Sequence, residues 1–129
     1  MTDIGSLKFT KTHEWLRLED QQAAVGITDH AQKEISDVVY VELPKVGRQL
    51  SQGEEAAVVE SVKSAFSIYA PIGGTIVQVN EALAKDPAAV NRSPYGEGWI
   101  FAIKPSDPSQ AAGLMDCPQY ESWVKGEKH

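Results

Sequence analysis

Residues Val59–Gly74 read VESVKSAFSIYAPIGG, and this stretch decides the fold class because it alternates strand-forming runs with turn residues. Valine, phenylalanine, isoleucine and tyrosine favour β-strands, whereas the Gly73–Gly74 pair marks a turn. Lys63 lies near the middle, at equal sequence distances from Gly53 and Gly73. The stretch therefore predicts a hairpin over about 56–79 with Lys63 at its tip.

The strand pattern continues on both sides of this hairpin. Leu7–Ile27 alternates apolar and polar residues around the polar turn Glu19–Gln22, which predicts a first hairpin. Further strands are predicted at 38–41, 56–60, 67–70, 75–79 and 99–104. Many short strands separated by glycine turns are typical of a sandwich or barrel.

Helices are predicted at a few places between and after the strands. Thr28 can cap a short helix that runs to about Ile35, and a helical turn follows at 81–83. The segment 91–98 is predicted to be a polar loop. Prolines in the C-terminal quarter suit first helical turns and predict two short packing helices over about 107–125. We predict one domain over residues 1–129.

Composition excludes several classes of function. The chain has 129 residues, 42% of them hydrophobic, and a formal net charge of −6. A nucleic-acid partner would require a basic face, so we expect none. The apolar runs have the length of strands, so we expect no membrane span. The N-terminus has no targeting pattern, and this predicts a cytoplasmic protein.

No set of residues predicts catalysis or a metal site. Cys117 is the only cysteine, and neither His13 nor His30 is spaced with an acidic residue as a metal-ligand pair would be. No Ser-His-Asp arrangement can be argued, and the Gly96–Gly98 segment lacks a dinucleotide fingerprint. We therefore expect a protein that is not an enzyme and has no metal.

The Val59–Gly74 stretch resembles the attachment loop of lipoyl carriers, and most closely that of glycine cleavage H proteins. Four other segments match that family in the same order, and together they cover most of the chain from Leu7 to about Lys104. They are Thr12–Trp15, Val25–Gln32, Val39–Pro44 and Val90–Tyr95 with the following Gly98–Trp99. One such segment would be weak evidence of membership, but five segments in the family's order identify the chain as a member of this family.

The resemblance implies a mainly β protein, a barrel-sandwich hybrid of two small antiparallel sheets with short flanking helices. It implies lipoate joined by an amide bond to Lys63, placed there by a lipoate-attaching enzyme. The implied partners are a pyridoxal-phosphate glycine decarboxylase, a tetrahydrofolate-dependent aminomethyltransferase and dihydrolipoyl dehydrogenase. Lipoyl-Lys63 would carry the aminomethyl group from the decarboxylase to the aminomethyltransferase. Dihydrolipoyl dehydrogenase would then reoxidise the lipoyl group.

The resemblance also assigns candidate contacts to the lipoyl arm. Glu14 matches a position whose carboxylate would bond the charged methylamine nitrogen of the loaded arm and shield it from premature loss. Thr12 matches a hydroxyl-bearing position in the same cleft. Ser67 occupies a position where several relatives have an acidic residue, so we expect the arm to be bound less tightly in this protein. Phe66 is bulkier than the residue often found there, and we expect it to pack into the hairpin.

Other carrier classes differ from this chain in the residues around the lysine. A biotinyl carrier typically has methionines beside its lysine, whereas Val62 and Ser64 flank Lys63. Lipoyl domains of 2-oxoacid dehydrogenases usually have an acidic residue directly before the lysine and a linker after the domain. A relay protein that passes lipoyl or octanoyl groups to other proteins stays open as the alternative function. The remaining alternative is a β-sandwich binding module in which Lys63 is never modified.

Overall fold

A computed structural model describes residues 7–19 and 21–127. Within these ranges the strands are β1 Lys8–Phe9, β2 Glu14–Glu19, β3 Gln22–Ile27, β4 Val38–Glu42, β5 Gln49–Leu50, β6 Glu55–Ser61, β7 Ala65–Tyr69, β8 Gly74–Val79 and β9 Phe101–Pro105. The helices are α1 Asp29–Ile35, α2 Ala89–Arg92 and α3 Cys117–Glu127, with 3-10 helices at Glu81–Ala84 and Pro108–Gly113. The predicted turn at Glu19–Gln22 includes Asp20, which lies outside the described residues, as do 1–6 and 128–129 of the predicted domain.

The strands form two antiparallel sheets. One has the order β1-β2-β3-β9-β8-β5, and the other has the order β4-β6-β7. The prediction of a mainly β fold with two antiparallel sheets and short helices is confirmed. The larger sheet brings the first hairpin, β2 and β3, next to the last strand β9.

The hairpin that carries Lys63 is shorter than the predicted 56–79. It consists of β6 and β7, and its base is closed by bonds from Gly53 N to Ala70 O (2.8 Å) and from Ala70 N to Glu54 O (2.9 Å). β8 belongs instead to the six-stranded sheet, where it pairs with β9 and β5. The local alternation of apolar and polar residues predicted β8 as a strand, but such a pattern does not indicate which sheet a strand joins.

The main core lies between the two sheets. Inward residues of both sheets are almost fully buried, among them Val25, Val59, Ile68, Ile76 and Phe101. Removing this apolar surface from water holds the sheets together. Phe66 of the β6–β7 hairpin is half-buried and packs against this core, which confirms the prediction that it packs into the hairpin.

Several element boundaries differ from the predictions. The last strand begins at Phe101 and not at Trp99, and the predicted polar loop contains the end of the four-residue helix α2. The first predicted C-terminal helix is the 3-10 helix, and α3 extends two residues beyond the predicted end at 125. α1 begins after Thr28 as predicted, because the Thr28 hydroxyl accepts a bond from Ala31 N (3.1 Å).

Candidate functional site

The tip of the β6–β7 hairpin is a turn closed by its own serine. Ser61 N donates to Ser64 O (2.8 Å), and the Ser61 hydroxyl accepts from the backbone N–H groups of Lys63 and Ser64 (3.1 Å each). These bonds satisfy the backbone N–H groups of Ser61, Lys63 and Ser64 within the turn itself. Val62, Lys63 and Ser64 at the tip are exposed to solvent.

Lys63 projects from this turn into solvent. Over residues 7–19 and 21–127, neither a hydrogen bond nor a salt bridge involves its ammonium group. A primary amine at such a tip can enter the active site of a modifying enzyme, and it can then present an attached group to several proteins in turn. The structure therefore places the predicted attachment residue where a covalent carrier requires it.

The surface beside the tip is partly apolar. Val62 is 67% exposed, and Val39 and Tyr40 of the neighbouring strand β4 are 53% and 51% exposed. Val62 N also donates to Asp37 O (3.1 Å), so the tip is bound to the chain that leads into β4. Exposed apolar groups around an exposed lysine suit contact with protein partners.

The half-buried side-chain amide of Asn91 holds the segment that supports the tip. The Asn91 side chain accepts from Val38 N (2.9 Å) and donates to Ser36 O (2.8 Å) and to Gln32 Oε1 (3.1 Å). These bonds fix the passage from α1 into β4. The Val90–Tyr95 motif thus supports the hairpin from a distance and does not touch Lys63.

Glu14 lies at the base of the same hairpin and is only 1% exposed. Its Oε1 accepts bonds from the hydroxyls of Thr10 (2.6 Å) and Thr12, and its Oε2 accepts from Tyr69 N (3.1 Å). β7 is an edge strand, and Glu14 therefore covers a backbone donor that a sheet partner would otherwise take. The carboxylate thus joins the β2–β3 hairpin to the β6–β7 hairpin.

Burial raises the pKa of the Glu14 carboxyl above its usual value, although the bonds from Thr10, Thr12 and Tyr69 act in the opposite direction. Thr12 is exposed, so its hydroxyl is the donor that solvent can reach. The structure therefore brings two of the predicted arm contacts, Glu14 and Thr12, into one cluster.

Lys63 is six residues from Tyr69 along the hairpin, roughly 20 Å at the usual strand rise.

Ser67 is half-buried on β7, on the strand face opposite to that of the buried Ile68. Its hydroxyl donates to the Glu55 carboxylate on the paired strand β6. An acidic group is thus present beside position 67, although it comes from another residue. Sequence reasoning missed Glu55 because the β6–β7 register had not been fixed.

Thr10 and Tyr69 were also missed as partners of Glu14. Thr10, Thr12 and Glu14 are separated by two residues each, and this alternation was a signal that could have linked the three side chains. Tyr69 could not be found in this way, because it contributes its backbone N–H from a strand 55 residues later.

The remaining residues of the His13–Trp15 motif have structural partners. Trp15 is fully buried, and its indole N–H donates to Pro94 O (2.9 Å), while Gly26 leaves space for its ring. The expectation that His30 is not spaced with an acidic residue as a metal-ligand pair would be is wrong, because Glu34 lies four residues later and its Oε1 is 3.5 Å from His30 Nε2. The His13 and His30 rings pack against each other, with centroids 4.7 Å apart and an angle of 36° between the ring planes. These two histidines are separated in sequence and meet only in the fold.

We expect Glu14→Ala to destabilise the fold by about 2–4 kcal/mol, because it leaves a cavity at a buried side chain and removes the acceptor of the Tyr69 N–H. Glu14→Gln should cost less than about 1 kcal/mol, since its amide oxygen can accept from Tyr69 while the two threonine hydroxyls rotate to accept from its NH₂. Urea unfolding of both variants measures the difference. Equal losses in the two variants would show that the negative charge itself is required.

An exposed lysine at a hairpin tip, in a two-sheet β protein, is the arrangement that a carrier of a covalently attached group requires. Comparisons with known proteins agree with this class. The family profile described as glycine cleavage H-protein matches residues 7–127. A glycine cleavage system H protein from Thermus thermophilus is 55% identical over 119 residues, covering 92% of this chain and 93% of that protein.

Two further relatives extend the match. The glycine cleavage system H protein of Legionella pneumophila (strain Corby) is 50% identical over 124 residues, covering 96% of this chain and 99% of its own length. The crystal structure of a glycine cleavage system H protein from Mycobacterium marinum superposes with a TM-score of 0.85 at 34% identity, covering 94% of this chain and 98% of that one. This chain belongs to the glycine cleavage H-protein family, the lipoyl carriers of the glycine cleavage system.

The helices of the described residues are short. None of them, within residues 7–19 and 21–127, is long and apolar enough to cross a bilayer. The longest is α3, with 11 residues.

Proposed function

We propose that this protein is the lipoyl-carrying shuttle of glycine cleavage, with lipoate joined by an amide bond to Lys63. The observation that carries the proposal is the exposure of Lys63 at the closed tip of β6–β7 in a chain of the H-protein family. Lipoate supplies a redox-active disulfide at the end of a long flexible arm, which accepts an aminomethyl group and is later reoxidised. The protein itself presents the lipoyl arm to the enzymes and is not an enzyme.

The proposed partners are a pyridoxal-phosphate glycine decarboxylase, a tetrahydrofolate-dependent aminomethyltransferase, dihydrolipoyl dehydrogenase and a lipoate-attaching enzyme, all in the cytoplasm. Each must reach the same lysine. The exposed Val39, Tyr40 and Val62 give these partners a common apolar contact beside the tip. The turn closed by Ser61 orders the backbone at Lys63, and this reduces the entropy lost on each encounter.

We further propose that the loaded end of the arm docks at the base of the hairpin. The Glu14 carboxylate is the acidic group there, and its pKa is raised by burial. An ammonium group can replace the exposed Thr12 hydroxyl as a donor to Glu14, forming a stronger, charge-assisted bond.

Ser67 is proposed as a weaker contact on the same hairpin. Its hydroxyl is already bonded to Glu55, so a positively charged group that approached Ser67 would meet the Glu55 carboxylate as well. Glu55 thus partly replaces the acidic residue that relatives have at position 67. The arm is expected to be held less firmly here than by a carboxylate at position 67 itself.

The docking proposal predicts faster ammonia release from the loaded protein when the charge at position 14 is removed. Glu14→Gln preserves the shape of the side chain and, because its amide oxygen can accept from Tyr69, most of the stability. Ammonia release after loading by the decarboxylase, in the absence of the aminomethyltransferase, measures the effect. Glu81→Gln, an exposed site on a 3-10 helix, is the matched control. Equal rates in all three proteins would overturn the docking role of Glu14.

The alternative function is a lipoyl or octanoyl relay that supplies other proteins. The two functions are separated by glycine–bicarbonate exchange with the decarboxylase, measured on the lipoylated protein. The shuttle predicts exchange that depends on Lys63. A protein that fails in exchange but still transfers its acyl group to other apo-proteins would be a relay.

A further inference from the structure

Two histidines and a glutamate form a cluster where the start of β2 meets α1. The metal-ligating atoms of His13, His30 and Glu34 all lie within 4.8 Å of one another. Both histidines are half-buried, whereas Glu34 is exposed. No step of the proposed shuttle uses this cluster.

The two residues on α1 have the spacing of a helical metal-ligand pair. His30 and Glu34 are four residues apart and therefore share one face of the helix, with 3.5 Å between Nε2 and Oε1. Pairs of ligands at this spacing form the helical half of many zinc sites.

His13 is brought to this helix face by an unusual backbone conformation. Its φ is +71°, which places it in the left-handed region that residues other than glycine rarely adopt. The bond from His13 N to Thr10 O (3.2 Å) and the bond from Thr28 N to His13 O (3.0 Å) fix it there. The ring consequently lies 4.7 Å from that of His30, centroid to centroid.

A buried hydroxyl pair orients the His13 ring. His13 Nδ1 lies 2.7 Å from the Tyr120 hydroxyl, which lies 2.8 Å from Thr28 Oγ1. Tyr120 is 5% exposed and Thr28 is fully buried. Because Nδ1 is bonded to Tyr120, metal binding by His13 would use Nε2. Histidines that bind metals commonly have such a partner on the other ring nitrogen.

Two imidazoles and a carboxylate are the protein ligands of an open zinc site, in which a water molecule takes the fourth position. Around a zinc ion with bonds of about 2.0–2.1 Å, ligand atoms are roughly 3.4 Å apart, so the cluster needs only small side-chain rotations. Glu34 has the freedom for such a rotation because it is exposed. We propose that His13, His30 and Glu34 bind one divalent transition-metal ion, zinc in the first instance, and thereby join β2 to α1.

Calorimetric titration of the full chain with ZnCl₂ tests this site, using tag-free protein that has been treated with a chelator and kept free of reductant. These conditions prevent a reduced lipoyl dithiol from competing for the ion. We expect one equivalent of zinc to bind, and His30→Ala and Glu34→Gln to weaken or abolish binding. Tyr120→Phe should weaken it about 10–100-fold by releasing the His13 ring. Glu81→Gln, remote in sequence from the cluster, should leave the affinity unchanged.

The proposal is overturned if the wild-type chain binds no zinc, or if Glu34→Gln and His30→Ala bind it as tightly as wild type. Glu34 is exposed, so its replacement should not disturb folding, and circular dichroism checks this for every variant. Substitution with Co²⁺ gives a second measurement. A visible absorption band typical of tetrahedral cobalt should appear in the wild type and be lost in Glu34→Gln.

Discussion

Lys63→Arg is expected to reduce glycine–bicarbonate exchange with the decarboxylase to background. Arginine preserves the positive charge and the approximate length of the side chain, but its guanidinium cannot form the amide bond to lipoate. The substitution lies in an exposed turn that Ser61 closes through the backbone, so the fold should remain unchanged. The loss therefore reports the attachment chemistry and not the stability.

Lys85→Arg is the matched control, because Lys85 is also exposed but lies far from the hairpin in sequence. It should support exchange at the wild-type rate. Thermal unfolding of both variants should give melting temperatures close to that of the wild type. Exchange by Lys63→Arg above background would mean that another residue carries the group.

Gly74→Ala is expected to destabilise the protein strongly, although it adds only one methyl group. A Cβ at position 74 would lie 2.1 Å from Lys104 O and 2.9 Å from Lys104 C, and both are backbone atoms that cannot rotate away. β8 and β9 pair at this point, with Gly74 opposite Pro105 and Thr75 opposite Lys104. Relief of the clash requires separation of the two strands. We expect a loss of at least about 3 kcal/mol.

Gly113→Ala provides the comparison for this change, because no atom lies within 4 Å of a Cβ built there. Its free energy of unfolding should stay within about 0.5 kcal/mol of the wild-type value. Differential scanning calorimetry should show a fall in melting temperature of roughly 10 °C for Gly74→Ala. Similar melting temperatures for the two variants would mean that β8 and β9 are packed less closely than these distances indicate.

Local signals predicted most of the elements but not their long-range pairing. Thr28 predicted the start of α1, and β-branched runs predicted β4, β6 and β8. β5 was missed because two residues, Gln49–Leu50, are too few to show alternation. The assignment of β8 to the larger sheet depends on the contact of Gly74 with Lys104, 30 residues later, which no local pattern contains.

The candidate site was predictable to the extent that it depends on one segment of chain. Lys63 follows from the Val59–Gly74 stretch and its resemblance to the attachment loop. The partners of Glu14 were predictable only through the alternation of Thr10 and Thr12, whereas Tyr69 comes from a distant strand. The meeting of His13 with His30 depends on a left-handed backbone at residue 13, which has no reliable signature for a histidine.

The central claim is that Lys63 is the residue that carries lipoate. Intact mass followed by peptide mapping tests it most directly, on protein expressed with lipoate and a lipoate-attaching enzyme beside a Lys63→Ala control. We predict a single lipoyl adduct on the peptide that contains Lys63, and its complete loss in the control. An unmodified chain, under conditions in which a known carrier in the same cells is lipoylated, would contradict the claim.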